Sequence, residues 1–408
     1  MFKKFRITTI MISSILFSYV VQIVNATPTQ EWIYHKTLDS QHPNGDEQAI
    51  VWLMNTARQN PTAEGIWLAT SSESDIASGR NYFGVDTALL QSEFANYTPK
   101  PPAAFDVRLY NAAYNHSLDL IARNAQDHDG QIERVKQQGF SYQKVRVSVA
   151  AYAKSALNAH AAWNIDWGTN SSNGMQSSRG HRSAIMSLDG VYSNIGIAAI
   201  PENDSNTKIG PLVTTGNYTQ AQTSEANHFN LFIVGTVWKD TNENARYDSG
   251  EGYGNITITP NRGNYYSVTS VSGGYAIPIT EYGQYQITFS GSSVNTVTKT
   301  VTIENDSILL DYLVSESIPI QITDEVKSNA IFNLIEQDYA EYFSPKSVTQ
   351  VINADNGIIY YRLYNNSYQA GLATYQGDLF YSFYNEWINF DTLDEANQSL
   401  CSNQCWEN

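Results

Sequence analysis

Asp240, Asn242, Asn244, Asp248 and Glu251 place side-chain oxygens at positions 1, 3, 5, 9 and 12 of one twelve-residue stretch. Arg246 occupies position 7, where calcium loops use a backbone carbonyl. Calcium takes six to eight oxygens at one point, and alternating Asp and Asn closed by a Glu supply them with little chain. The run departs from an EF-hand in two ways. Ala245 stands at position 6, where Gly would make the sharp turn. The flanks, Phe232–Trp238 and Ile256–Thr259, read as strands rather than helices. The spacing therefore predicts a Ca2+ loop between two strands, set against the simpler reading of an Asn/Asp-rich turn.

The remaining chemistry-bearing residues are sparse. His116 falls on the apolar stripe of Leu109, Ala113 and Leu120 and reads as a core histidine. His160, in Leu157-Asn-Ala-His-Ala-Ala-Trp163, reads as a helix-packing residue, and His35, His42 and His228 fall in presumed linkers without a role. No Gly-x-Ser-x-Gly or His-Glu-x-x-His pattern occurs, and Ser177-Ser178 reads as a polar loop. Cys401 and Cys405 are the only cysteines; they predict a small local disulfide in an oxidising compartment, with two free thiols as the alternative.

These residues need elements to hold them. Lys3, Lys4 and Arg6 precede an apolar run from Ile7 to Val24 that ends in Val24-Asn25-Ala26, the pattern of a cleaved signal peptide over residues 1–26. Its removal would take the formal charge from −16 to −19. An acidic chain without a basic block is a poor partner for nucleic acid or an anionic membrane, and no second apolar run is long enough to span a bilayer. Residues 27–44 read as a linker. Residues 45–229 mix helix and strand: Ile50, Leu53, Met54 and Ala57 form the stripe of a helix over 47–59, and Asp106 caps a second over 106–124. Residues 191–200 and 210–215 read as paired strands. Short alternating runs at 230–315 predict an all-β sandwich. Residues 325–408 predict a small α+β module, with a helix near 330–341 and aromatic strands at 358–364 and 379–384.

Four stretches of the first zone resemble the CAP superfamily in its bacterial secreted form. They are Leu53-Met-Asn-Thr-Ala-Arg-Gln-Asn-Pro61 with Glu64-Gly65, Tyr110 to Asp119, Asp127-His128-Asp-Gly with Arg134 and Gly139-Phe140, and Gly180-His181-Arg182-Ser-Ala-Ile-Met186 with Ile195-Gly196-Ile197. The resemblance implies an α-β-α sandwich whose cleft holds two histidines and two acids. His128 and His181 match the histidines. The family's Gly-Glu-Asn glutamate has no counterpart, since Val147 or Ser148 stands there, and the other acid finds no match. Asp166, in Ile165-Asp-Trp-Gly168, is a candidate for the cleft. Val234-Gly-Thr-Val-Trp-Lys-Asp240 and Ser270 to Tyr275 resemble the calcium-binding B-type repeats of bacterial surface proteins, which implies a rigid spacer.

The expectation is thus a modular α+β chain: a CAP-like α-β-α sandwich, an all-β sandwich and a small α+β module. It would be secreted or at the cell surface, and its cleft would bind an extracellular ligand that is lipid-like, a peptide or a glycan. The first alternative is a metal-assisted peptidase or other hydrolase in which His128 and His181 hold Zn2+ or Mg2+. Catalytic zinc takes three protein ligands, of which two are nameable. Either imidazole could instead serve as a general base near neutrality. The second alternative is a surface spacer or adhesin with a vestigial cleft. The tyrosine-rich strands of the last zone suggest a core more readily than a binding face.

Overall fold

The structure, a computed structural model, describes residues 27–169 and 171–314 and five strands between 348 and 390. In chain order the elements are β1 (Gln30–Glu31), α1 (Gly45–Gln59), α2 (Pro61–Thr70), α3 (Ser74–Phe83), α4 (Thr87–Ala95), β2 (Ala104–Phe105), α5 (Val107–Arg123), α6 (Gln131–Gln137), β3 (Tyr142–Ala153), α7 (Ala156–Ala161), α8 (Gly180–Ile185), β4 (Asn194–Pro201) and β5 (Leu212–Ala221). A π-helical turn, Ala162–Asp166, continues α7. There follow β6 (Phe232–Trp238), β7 (Thr257–Pro260), β8 (Tyr265–Val268), β9 (Gly274–Pro278), β10 (Gly283–Gly291), β11 (Val294–Ile303), β12 (Ile308–Leu309) and β13 (Tyr312–Leu313). The strands β14 (Val348–Ala354), β15 (Gly357–Tyr364), β16 (Ser367–Gln376), β17 (Leu379–Phe383) and β18 (Ile388–Phe390) form one antiparallel sheet. The fold class is α+β.

The two long helices form where their stripes predict. Asn44 and Glu47 close a capping box on α1, and the Asp106 side chain accepts from the Arg108 N–H to start α5. Each such cap stabilises its helix by about 1 kcal/mol. Between them lies the sheet β2-β4-β5-β3, in which β3 is an edge strand among the described residues. Ile195 and Ile197 of β4 enter the core that Ile50, Leu53 and Met54 of α1 share. The intervening Gly196 faces the other way, where a Cβ would stand 2.1 Å from the Leu109 carbonyl carbon of α5. Glycine here lets the helix backbone lie directly on the strand. Layers of helix on both faces of one sheet result.

The β-rich stretch stacks the sheet β1-β8-β7-β10-β11 against β12-β6-β13, with β9 paired to β6. Tyr285, Ile287 and Phe289 alternate inward along β10, as a half-buried strand requires. This sandwich packs on α1. Trp52 meets Trp238 edge to face at 5.5 Å and donates from Nε1 to Asp311 at 2.8 Å. Gln48 Nε2 donates to Thr236 Oγ1 at 2.8 Å.

Residues 27–44 join the two parts while being anchored themselves. β1 pairs in parallel with β8, Trp32 is buried, and His35 is buried with its ring nitrogens facing the Trp32 and Val268 carbonyls. The linker histidines therefore have structural roles that the sequence reading did not assign them. His42 stacks on Tyr110 and pairs with Glu47 at 2.7 Å, a contact that raises its pKa, and His228 accepts from the Ser141 N–H. Residues 1–26, the helix expected at 330–341 and Cys401 and Cys405 lie outside the described residues.

Candidate functional site

His128 and His181 come together from separate segments, with ring centroids 6.3 Å apart. Each imidazole is oriented by a different partner. The π-turn after α7 ends at Asp166, which adopts a left-handed φ of 56° and is fully buried. A turn of this kind inside a helix is uncommon, as is a non-glycine residue at positive φ. Its effect here is to aim the Asp166 carboxylate at the start of α8. There it accepts from His181 Nδ1 at 2.9 Å and from the His181 backbone N–H at 3.1 Å. A carboxylate in this setting is an acceptor, so Nδ1 carries the hydrogen and Nε2 keeps its lone pair.

His128 lies just before α6, and its Nδ1 faces Gln131 Oε1 at 2.8 Å. The Gln131 amide is itself oriented by the sheet, because its Nε2 donates to the Gly216 carbonyl and Asn217 Oδ1. Oε1 must then accept, and His128 too presents Nε2. The turn that carries His128 is pinned from beneath by His116, which is buried and donates from Nε2 to the Asp127 carbonyl at 3.0 Å. Burial lowers the His116 pKa, and the neutral ring accepts from Arg134 Nη1 at 3.3 Å. Arg182 does the same service under His181: its buried guanidinium donates to the Asn164 and Ile165 carbonyls and pairs with Glu93. His160 is buried on α7 and pairs with Glu64 at 2.8 Å.

Val147 and Ser148 lie on β3, with Ser148 buried opposite Gly216. The acid that reaches the histidine pair is Asp166, on His181. Gln131 has no signal in the sequence, because it opens α6 after the left-handed Gly130 while His128 sits in the turn before it. As a zinc site the arrangement falls one ligand short, since no third His, Cys, Asp or Glu among the described residues joins the imidazoles.

His181 stands at the wall of a cleft of about 540 Å³. Tyr82, Phe83, Tyr152, Trp163 and Trp167 give it an aromatic lining. Trp167 lies over Gly79, where a Cβ would stand 2.5 Å from the ring, and stacks on Phe83 at 5.8 Å. Six consecutive residues of the edge-strand region, Val149 to Lys154, complete one side. Clefts of this size and composition are typical of small-molecule and peptide sites.

The oxygen-rich loop is a second, separate candidate. Asp240 accepts from the Asn244 and Ala245 N–H groups, and Asp248 Oδ2 accepts from the Asn242 and Asn244 side-chain amides at 2.8 and 2.6 Å. The side chains at positions 3, 5 and 9 thus meet through the Asn amide nitrogens, while the Asn242 and Asn244 oxygens accept from the Asn244 and Arg246 N–H groups and Asp240 holds the backbone at 244 and 245. Ala245 adopts φ 60°, the left-handed conformation that glycine would supply more cheaply. Glu251 at position 12 is buried and accepts from Thr241 and from the Asp248 N–H. The Arg246 side chain leaves the loop to pair with Glu73 and to cover the Trp67 ring, so only its carbonyl is available at position 7. The carboxyl and amide oxygens of this stretch are of the type calcium takes, but Asp240, Asp248 and Glu251 are not gathered into one group, and among the described residues no three His, Cys, Asp or Glu side chains are.

No family model matches this chain, and no curated protein matches it. Among solved structures it is similar to an extracellular protein containing a SCP domain from Bacillus anthracis str. Ames, at 18% sequence identity and a TM-score of 0.23. The matched stretch covers 35% of this chain and 40% of that one, so the chain spans well under half the length of that protein. Among the described residues no helix is long and apolar enough to cross a membrane.

Proposed function

We propose that this chain is an exported binding protein whose CAP-like cleft holds a small apolar, lipid-like molecule or a peptide. The aromatic wall of Tyr82, Phe83, Trp163 and Trp167 beside His181 carries this reading. Such rings offer large apolar faces at low cost in side-chain entropy. In the same reading the sandwich acts as a spacer, and Asp240, Asn242, Asn244, Asp248, Glu251 and the Arg246 carbonyl hold a structural Ca2+. The 1, 3, 5, 9, 12 spacing of oxygen side chains and the turn that folds Asn242 and Asn244 onto Asp248 support that assignment.

The second reading is hydrolysis. It is favoured by two imidazoles that both present Nε2, one of them backed by a buried carboxylate. His181 would act as a general base on a water, with Asp166 holding the ring and stabilising its protonated form.

Titration of the mature chain with a fluorescent fatty acid, a sterol and a tryptic digest of casein tests both. Saturable binding at micromolar concentration, weakened at least tenfold in Trp167→Ala and retained in His128→Ala/His181→Ala, supports the binding reading. Cleavage of casein peptides that is lost in the double variant supports hydrolysis. Absence of both would leave the cleft vestigial and sink the proposal.

A further inference from the structure

On the premise that the cleft is a binding site, we infer that its ligand is an extended polypeptide that adds to the free edge of β3 as a further strand. Three observations lead there. First, β3 ends the sheet order β2-β4-β5-β3, so one side of it pairs with β5 and the other with no described strand. An edge strand presents a row of unpaired N–H and C=O groups, a template for another extended chain.

Second, Val149, Ala150, Ala151, Tyr152, Ala153 and Lys154 all border the cleft. Side chains alternate between the faces of a strand, so a pocket resting on one face would meet every second residue. Here the successive paired residues Val149 and Ala150 both border it, and the unpaired Ala151 and Tyr152 continue the line, so the cleft runs along the end of the strand's edge. The backbone edge then adds its N–H and C=O groups to the polar side chains of the cleft, among them Asn158, Gln176 and His181. A lipid has no use for a ladder of alternating donors and acceptors, and a polypeptide matches it.

Third, the edge is shaped at its end. The pairing of β3 with β5 shifts register between Ala150 and Ala153, and Tyr152 sits at φ 62° with its N–H donated to the Ile209 carbonyl. A bulge re-aims side chains and terminates pairing, and it keeps edges from joining indiscriminately. Here it turns Tyr152 outward, 55% exposed, as a stop for the added strand. The Lys154 N–H that follows is donated to Asn158 Oδ1, which closes the edge. Tyr82, 80% exposed on α3, would receive one of the alternate side chains of the incoming strand.

The test uses the mature chain and the casein digest. The tightest retained peptide is resynthesised with a single backbone N-methyl group at each position in turn. Strand addition predicts a period of two: methylation at alternate residues weakens binding about tenfold, the loss of one hydrogen bond, and leaves the intervening positions within twofold. Amide exchange in residues 147–151 should slow at alternate positions on binding. Tyr82→Ala, a change at an exposed side chain that leaves the fold intact, should weaken the same peptide. Uniform tolerance of N-methylation would overturn the inference. Saturable fatty-acid uptake without peptide retention would also overturn it while leaving the cleft a binding site. Failure of all three probes would remove both readings.

Discussion

The loop at 240–251 and the cleft around His181 assemble their chemistry in opposite ways. In the loop every donor lies within twelve residues, and turns internal to that stretch fold Asn242 and Asn244 onto Asp248. At the cleft wall, His181 comes from α8, while its neighbours His128 and Asp166, which do not line the cleft, come from the turn before α6 and from a π-turn; the three meet only because β5 and the buried Arg182 place them. A local constellation carries its geometry in its spacing. A dispersed one borrows its geometry from packing, so it should fail when distant support is removed, and the local one should not.

The sharpest way to break the comparison is Arg182→Ala. That side chain is fully buried and holds the Asn164 and Ile165 carbonyls of the turn that ends in Asp166. Its loss leaves those two carbonyls without their donor, opens a buried space, and leaves Glu93 paired with Arg179 alone; it should cost about 3–5 kcal/mol of stability. Denaturant unfolding checks this. A cost below about 1 kcal/mol would mean that the turn carrying Asp166 is as self-sufficient as the loop.

Asp311 tests whether the two parts stand or fall together. Its carboxylate accepts from Trp52 Nε1 of α1 and from the Thr236 N–H of β6, and burial pushes its pKa up to about 6. The unfolded value is near 4, so the folded chain binds this proton more tightly. Its contribution is fully present below about pH 4 and is lost as pH rises through about 6, a decline of about 3 kcal/mol. Unfolding free energies measured from pH 4 to pH 7 should show that slope in wild type and lose it in Asp311→Asn. An identical slope in the variant would assign the effect to other groups.

The smallest effect belongs to the loop. Calcium at about one hundred times its dissociation constant should add about 2.7 kcal/mol to wild type and nothing to Asp240→Ala. In calcium-free buffer the same variant should differ from wild type by under about 1 kcal/mol, because only hydrogen bonds within the loop are lost. Calorimetry with calcium and with chelator measures both. Equal responses of the two proteins would reduce the stretch to a turn.

Much of the scaffold could be read from the chain. Ile50, Leu53, Met54 and Ala57 are buried as their stripe requires, and so are Leu109, Ala113, His116 and Leu120. The strands expected from alternation at 285–289, 297–303 and 358–364 are present. His116 and His160 occupy the buried positions expected of them. The histidine pair was legible only in part. His128 and His181 could be nominated, whereas the acid at Asp166 depends on a π-turn and a left-handed residue, which no apolar period reports. Gln131 acts through an amide held by β5, a strand far along the chain.

By itself the sequence determined the α+β mixture, the helix stripes and caps, and the oxygen spacing of the loop, because each depends on neighbours within a few turns of chain. Only the tertiary structure decided which acid faces His181, that residues 27–44 are pinned to β8, and that among the described strands β3 ends its sheet beside the cleft. Those outcomes depend on which distant backbones come within hydrogen-bonding reach, and a residue's identity does not specify that until the sheet order is set.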